Sequence, residues 1–143
     1  IAQLPQLKCM MQTFLPYADY TASFEVLDYR RLGKQRVEAK QVLMCLRNQG
    51  STGWRHHPAV KMWAGYEDAL SNYLRECIIT WYRRGYNNRM ALPPHVNSPK
   101  MPPWFGNTRF HLSHRSNLLR KDPTYYGQLF GHVPPNMPYV WPN

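Results

Sequence analysis

Apolar residues recur at the three- and four-residue spacing of an α-helix in three separate stretches of the chain. The first stretch predicts a helix from Thr21 to about Arg47, with Thr21 or Ser23 as N-cap and Gly50 as the stop signal. Its apolar positions share one arc of about 100°, and Gly33 is the expected position of a kink. The arc contains Phe24, Leu32, Ala39, Val42, Leu43 and Leu46.

The second stretch is the most regular and predicts the central helix of the protein. It begins at Pro58, which suits the first position of a helix, and ends at Arg84 before Gly85. The third helix is predicted from Asn107 or Thr108 to a point before Pro123. The apolar stripe of the second helix contains Trp63, Tyr66, Leu70, Tyr73, Leu74, Cys77 and Trp81.

The segments between these helices lack a period. Residues 1–20 are expected to form an extended arm, and residues 86–106 a long loop with five prolines. The tail, 124–143, is rich in aromatic residues and proline and is expected to fold back on the helices. No convincing strand is found, so the pattern predicts an all-α fold. In it, 143 residues form one compact three-helix domain.

The charge of the chain indicates an anionic partner. Lys and Arg number 18 against 8 Asp and Glu, a formal charge of +10, while 43% hydrophobic and 14% aromatic residues are too many for a disordered chain. Nucleic acid is the first candidate and an acidic membrane surface the second, the alternative being a merely soluble basic protein. No apolar run approaches the ~18 residues of a membrane span, so no membrane partner is expected.

Cysteine and histidine usage predicts neither a cofactor nor a metal. The three cysteines are odd in number and lack CxxC spacing, which argues against a disulfide framework and a cysteine zinc site. His111 and His114 share a helical face, but no third ligand lies nearby in sequence. A reducing, intracellular compartment fits best, and residues 1–10 do not resemble a signal peptide.

Cations cluster beside the apolar arc of the first helix, where they can neutralise phosphates along one nucleic-acid strand. The alternative is a solvated helix face. Asp28 lies inside the apolar arc, so it is either paired with a nearby arginine or placed at a cleft; the pairing is the more common arrangement. The cations of this group are Arg30, Arg31, Lys34 and Arg36.

A second group of polar donors is predicted on the third helix, where phosphate contact is better supported than metal binding. His57 precedes the second helix, whose N-terminal dipole favours an anion; an ordinary loop histidine is the equal alternative. Trp54, Trp104 and Phe105 lie in loops, where they either stack on bases or cover the core. The donors of the third helix are His111, His114, Arg115, Asn117, Arg120 and Lys121.

Several of these motifs together resemble the pyrimidine dimer DNA glycosylase (endonuclease V-like) superfamily, over about residues 12–127. The resemblance rests on Tyr29-Arg30-x-Leu32, on Arg83-Arg84-Gly85-Tyr86-Asn87 and on Pro123-Thr124-Tyr125-Tyr126-Gly127. A closer likeness to an uncharacterised branch rests on four further stretches. They are Met11-Gln12-Thr13-Phe14-Leu15-Pro16-Tyr17, Arg31-Leu32-Gly33-Lys34-Gln35-Arg36-Val37-Glu38, His57-Pro58-Ala59-Val60 and Ser113-His114-Arg115-Ser116-Asn117-Leu118.

The resemblance implies a three-helix domain that binds kinked DNA and acts as a glycosylase and abasic-site lyase. In that chemistry the free α-amine of the processed N-terminus forms a Schiff base with the sugar, which places the candidate amine near Thr13. A glutamate after the Tyr-Arg pair supports the reaction. Asp28 and Glu38 are the acids of the first helix that could take this role, and Asp28 is the one closer to the motif.

Two departures from the family pattern favour a different reading. Arg31 stands where the family has its glutamate, and residues 1–10 precede Met11 and would cover the amine. The alternative is a non-catalytic relative that serves as a nucleic-acid-binding structural subunit, for instance of a ribonucleoprotein or another large assembly. DNA is the first expectation and RNA the second, with little lyase activity expected of the chain as it stands.

Overall fold

The computed structural model describes residues 11–50 and 53–142. Within them the chain forms six helices and no strand, which confirms the all-α prediction. The three longest helices correspond to the three that the hydrophobic pattern predicts. The helices are α1 (Tyr20–Val26), α2 (Tyr29–Leu46), α3 (Pro58–Lys61), α4 (Glu67–Arg83), α5 (Thr108–Lys121) and α6 (Pro123–Phe130).

The first predicted helix is divided in two at Leu27 and Asp28, not kinked at Gly33. Leu27 has extended backbone angles and ends α1, and Asp28 then caps α2 by accepting a hydrogen bond from the backbone N–H of Arg31. An aspartate at such a position competes with continuous helix because its side chain satisfies the free N–H groups of a new one. The break turns α2 so that its apolar face packs on α4.

The second predicted helix is also interrupted. The single turn of α3 ends at Lys61, and Gly65, at φ +86°, reverses the chain before α4 begins at Glu67. Glycine adopts this left-handed conformation without the steric cost that a Cβ atom adds. The helical spacing of Trp63 and Tyr66 therefore belongs to a tight turn, although Trp63 is fully buried as predicted.

The core lies between α2, α4 and α5 and is closed by the arm and the tail. Phe14 and Leu15 of the arm are buried, as are Tyr126 and Phe130 of α6, whose rings stack with their centroids 5.7 Å apart. The helix α6 was not predicted, because its Pro123 was read as the end of α5; Asp122 caps it and Pro123 starts it. Val133 of the tail is also buried, so the tail packs on the helices as expected.

Candidate active site and nucleic-acid interface

A cavity of about 160 Å³ opens where the arm, α2 and the end of α5 meet. Among the described residues it is lined by a single acid, Glu38, and by three cations contributed by two different helices. The positions 31, 34, 35 and 38 share one face of α2 because residues three and four apart lie side by side on a helix. The lining residues are Phe14, Arg31, Lys34, Gln35, Glu38 and Lys121.

Glu38 is the most unusual ionisable group of this cavity. Glu38 is 9% exposed, and burial raises the pKa of its carboxyl to about 7. Lys34, a backbone hydrogen bond from Gln12 and Lys121 act in the opposite direction and lower the pKa. Burial disfavours the charged carboxylate, whereas each positive neighbour favours it. A carboxyl that titrates near neutral pH can both donate and accept a proton under physiological conditions.

Gln35 holds Glu38 in place and connects it to the arm. Its side-chain amide donates to the Glu38 carboxylate at 3.3 Å and to the carbonyl of Gln12 at 2.8 Å, while its oxygen accepts from the backbone N–H of Phe14 at 2.7 Å. The hydroxyl of Tyr73 lies 2.6 Å from the same oxygen. Because the amide is bonded at both ends, its orientation is defined, and with it the position of the Glu38 carboxyl.

Asp28 lies at the N-terminus of α2 and is paired, as the commoner of the two readings of the sequence expects. Its carboxylate is 3.1 Å from the Arg31 guanidinium and accepts a hydrogen bond from the Tyr126 hydroxyl. Burial acts to raise the pKa of Asp28, but the hydrogen bonds from Tyr126 and Arg31 outweigh it and hold the pKa below its usual value. Asp28 does not line the cavity; its predicted catalytic role stays a prediction.

Thr13, the other predicted catalytic residue, is fully buried and does not line the cavity. Its hydroxyl accepts a hydrogen bond from the Trp63 indole at 3.0 Å, and its N–H donates to the Gln12 side chain at 2.9 Å. The main-chain nitrogen that reaches Glu38 is that of Gln12. The expectation that residues 1–10 cover this position lies outside the described residues.

An open groove of about 340 Å³ lies on the neighbouring side of α2 and contains aromatic surface. Tyr29 is 53% exposed and stacks on Trp81 with ring centroids 6.0 Å apart and an interplanar angle of 13°. The Arg36 guanidinium lies 4.3 Å from the Trp81 ring centroid and also donates to Asn88 at 2.6 Å. The groove is lined by Tyr29, Arg30, Gly33, Lys34 and Trp81.

Lys34 lines both the cavity and the groove, and Arg30 precedes it by one turn. Both side chains are exposed, so α2 presents two cations between two concave surfaces. Exposed cations four residues apart on a helix are well placed to contact successive phosphates. Of the four cations that the sequence predicts on the first helix, Arg30 and Lys34 are exposed on this surface. Arg36 instead lies against Trp81, and Arg31 is paired with Asp28.

The two histidines of α5 are buried and joined to the arm. His111 Nδ1 lies 2.8 Å from the carbonyl oxygen of Leu15, and His114 Nδ1 accepts from the backbone N–H of Leu15 at 2.9 Å. The backbone N–H of Gly106 donates to His111 Nε2 at 2.9 Å. These contacts anchor the arm, and the predicted phosphate contacts of both histidines stay predictions.

Three other predicted donors of α5 bond to carbonyl groups of the arm and the tail. Arg115 donates to the carbonyl of Pro16 at 2.6 Å, Asn117 to that of Met137 at 3.1 Å, and Arg120 to that of Pro135 at 2.7 Å. Guanidinium and amide groups used in this way hold segments that have no regular hydrogen-bond pattern of their own. Of the α5 donors named from the sequence, only Lys121 lines the cavity.

His57 and the loop tryptophans are also largely internal. His57 is 1% exposed, caps α3 by accepting from the N–H of Ala59 at 2.9 Å, and contacts the rings of Trp54 and Trp141 edge-on. Trp104 is buried and donates to the carbonyl of Met62 at 2.9 Å. For Trp104 the structure favours the core-covering reading over base stacking.

No group of three or more His, Cys, Asp or Glu side chains in residues 11–50 and 53–142 is placed to hold a metal ion. None of the helices in that part of the chain combines the length and apolarity that a membrane span requires.

From the sequence alone, Glu38 is a candidate only beside Asp28, and neither Gln35 nor the exposed ring of Tyr29 is recognised. A signal for the cavity was present, because 31, 34, 35 and 38 recur at helical spacing. What the sequence could not supply is the arm and Lys121, which approach this face from distant positions in the chain.

The fold and these sites together define a basic all-α protein with a buried carboxyl, that of Glu38, in a cavity lined by cations. The chain matches the family model for pyrimidine dimer DNA glycosylases over residues 11–93, more than half of its length, and it belongs to that family. The resemblance seen in the sequence is thereby confirmed. Comparisons with curated proteins and with solved structures gave no match.

Proposed function

We propose that this protein binds DNA across α2 and acts on it as a glycosylase and abasic-site lyase, with Glu38 as its acid–base group. The observation that carries the proposal is the placement of Glu38 in a cavity lined by Arg31, Lys34 and Lys121. Membership of the glycosylase family supports the reaction class. The substrate is an abasic or damaged pyrimidine nucleotide whose sugar enters the cavity.

Glu38 takes the place of the glutamate that the family is expected to carry after the Tyr-Arg pair. Arg31 occupies that position here, and its ion pair with Asp28 leaves both groups engaged at the start of α2. Glu38 lies two turns further along the helix, on the face toward the cavity, with a pKa of about 7. A carboxyl that is half protonated near neutrality suits the alternating proton transfers of Schiff-base chemistry.

The phosphate contacts of this function fall to Arg30 and Lys34. They lie between the cavity and the aromatic groove, so a strand that follows them passes both concave surfaces. Tyr29 offers an exposed ring beside them, on which a base can stack. The net charge of +10 supports association with any nucleic acid, RNA included.

The test compares the wild type with Glu38→Gln in single-turnover cleavage of duplex DNA that carries one abasic site. Glutamine keeps the shape and the hydrogen bond from Gln35 but cannot transfer a proton. We expect a ~10²–10⁴-fold loss of rate with binding retained, the range typical for removing a general acid or base. Glu25→Gln is the matched control, because Glu25 is an exposed acid on α1 outside the cavity.

A non-catalytic nucleic-acid-binding subunit is the competing function, and the pairing of Arg31 with Asp28 at the glutamate position favours it. The same experiment separates the two. Tight binding of abasic DNA without any cleavage by the wild type would reject the lyase and support the structural subunit. Equal rates for wild type and Glu38→Gln would reject Glu38 as the acid–base group while leaving the enzyme in place.

A further inference from the structure

The cavity holds an amine that does not depend on the position of the N-terminus. Lys121 is the last residue of α5 and the only residue of that helix that lines this cavity. Glu38 of α2 lines the same cavity, so the amine and the acid border one space. Each of the two also affects the pKa of the other.

The surroundings of Lys121 also favour loss of its proton. Loss of solvation lowers the pKa of Lys121, and repulsion from Arg31, Arg120 and Lys34 lowers it further, against the opposing effect of Glu38. Desolvation and neighbouring cations are the two means by which a lysine becomes a nucleophile at neutral pH. The three cations that act on Lys121 therefore favour its neutral, nucleophilic form.

Lys34 also lines the cavity, and its position suits a different role. Both lysines are exposed, but Lys34 lines the aromatic groove as well, so it faces the surface along which a phosphate backbone would pass. Lys121 has no part in the groove. Lys34 thus lines both concave surfaces, whereas Lys121 lines only the cavity.

We propose that Lys121 is the Schiff-base nucleophile for abasic sites in this cavity, with Glu38 as its proton-transfer partner; this inference rests on the proposed lyase function. It makes catalysis independent of a free α-amine at Gln12 or Thr13. The chain then differs from the family pattern in two ways. Arg31 stands in place of the glutamate, and the nucleophile is a lysine of α5 in place of the terminal amine.

The reaction balances with water as the only co-reactant. The Lys121 nitrogen attacks the aldehyde carbon C1′ of the ring-opened sugar, and the resulting carbinolamine loses water as the protonated Glu38 donates to the departing hydroxyl. The Glu38 carboxylate then removes a proton from C2′; those electrons form the C2′–C3′ double bond, and the C3′–O bond breaks with the 3′ phosphate as leaving group. Hydrolysis of the imine releases the unsaturated aldehyde and restores the amine.

The test is borohydride trapping of the full-length chain on duplex DNA with one abasic site, followed by peptide mapping. We expect the reduced adduct on Lys121, seen as a peptide in which trypsin no longer cleaves after this residue. Lys121→Arg keeps the charge and removes the nucleophile, so it should lose the adduct yet bind a tetrahydrofuran abasic analogue within about twofold of wild type. Lys61→Arg, at an exposed lysine of α3, is the matched control and should trap normally.

The outcomes distinguish this inference from the proposed function. An adduct on an α-amine or on Lys34, or undiminished trapping by Lys121→Arg, would overturn the role of Lys121 and leave the lyase standing. Absence of an adduct and of strand cleavage in the wild type would overturn both. Loss of the adduct in Lys121→Arg, with binding and folding retained, would support both.

Discussion

The backbone N–H of Leu15 donates a hydrogen bond to Nδ1 of His114, 2.9 Å away, although 99 residues separate the two in the chain. Both residues are buried, and the bond requires a ring whose Nδ1 carries no proton. Burial, and next the neighbouring His111, lower the pKa of His114 to about 3. The attachment of the arm to α5 therefore depends on a neutral histidine.

This dependence predicts that His114 makes the protein less stable in mild acid. In the unfolded chain His114 protonates near pH 6.5, so its contribution is complete above that pH and falls by on the order of 1 kcal/mol for each pH unit below it, down to pH 3. Urea unfolding of Glu38→Gln at pH 7.5, 6.0 and 5.0 measures the slope, because this variant lacks the opposing titration of Glu38. An NMR titration should find the His114 ring still neutral at pH 5, and a midpoint near 6.5 would contradict the assignment.

Glu38 predicts the opposite dependence, because its pKa is raised. Between the ordinary pKa of 4.5 and about pH 7, the Glu38 carboxyl is protonated in the folded state but ionised in the unfolded chain. The contribution of Glu38 to stability is therefore fully present below pH 4.5 and is lost as the pH rises through 7. Glu38→Gln should therefore be more stable than the wild type by about 1–3 kcal/mol at pH 8 and nearly equal to it at pH 5. Denaturant unfolding at the two pH values checks this.

The matched control for that measurement is Glu25→Gln, in which the exposed carboxylate is 3.8 Å from Arg83. An exposed ion pair contributes little, so its difference from wild type should stay small at both pH values. If Glu38→Gln were destabilised at pH 8, the carboxylate would be a stabilising partner of the cavity cations instead of a poised acid.

Gly33 provides a prediction about the aromatic groove. A Cβ at this position would lie 2.9 Å from two atoms of the Trp81 ring, which is held by a 2.6 Å hydrogen bond from its indole N–H to the carbonyl of Asn87. Gly33→Ala should destabilise the protein by about 1–3 kcal/mol, because overpacking outweighs the higher helix propensity of alanine. Thermal unfolding measures the change.

Gly127→Ala is the matched control, since Gly127 also lies inside a helix and a Cβ there meets nothing within 4 Å. This variant should be neutral or more stable by up to about 1 kcal/mol. Equal effects of the two substitutions would show that the contact between Gly33 and Trp81 has no energetic consequence.

Features that depend on residues close together in the chain were predicted from the sequence, whereas features that depend on distant residues were missed. Helical spacing depends on neighbours within four residues, so the buried faces that contain Leu32, Val42 and Tyr73 were predicted correctly. The break at Asp28 was missed because an aspartate inside an apolar arc has two local readings. Tyr126, 98 residues away, lies against the carboxylate at that break.

The candidate site shows the same limit more strongly. The cations of α2 are visible in the sequence, but the inward direction of His111 and His114 is not, since it depends on hydrogen bonds with Leu15 of the arm. Likewise, Glu38, seven residues after Arg31, is recognised as a site residue only once the fold shows that Lys121 of α5 lines the same cavity.

The final prediction separates cations that bind nucleic acid from those that hold the fold. Arg30 and Lys34 are exposed on α2, whereas Arg120 donates to the carbonyl groups of Pro135 and Met137 at 2.7 and 3.3 Å.

Arg30→Ala and Lys34→Ala should each lower the slope of log K against log salt by about one charge, across all sequences and without loss of stability. Arg120→Ala should leave the slope nearly unchanged and lower the free energy of unfolding by about 1 kcal/mol, because it removes hydrogen bonds to the tail. The salt slope is measured by fluorescence anisotropy on duplex DNA over about 50 to 200 mM salt. The free energy of unfolding is measured by urea unfolding. A slope that falls in Arg120→Ala as much as in Lys34→Ala would place α5 in the interface as well; an unchanged slope in both α2 variants would remove α2 from it.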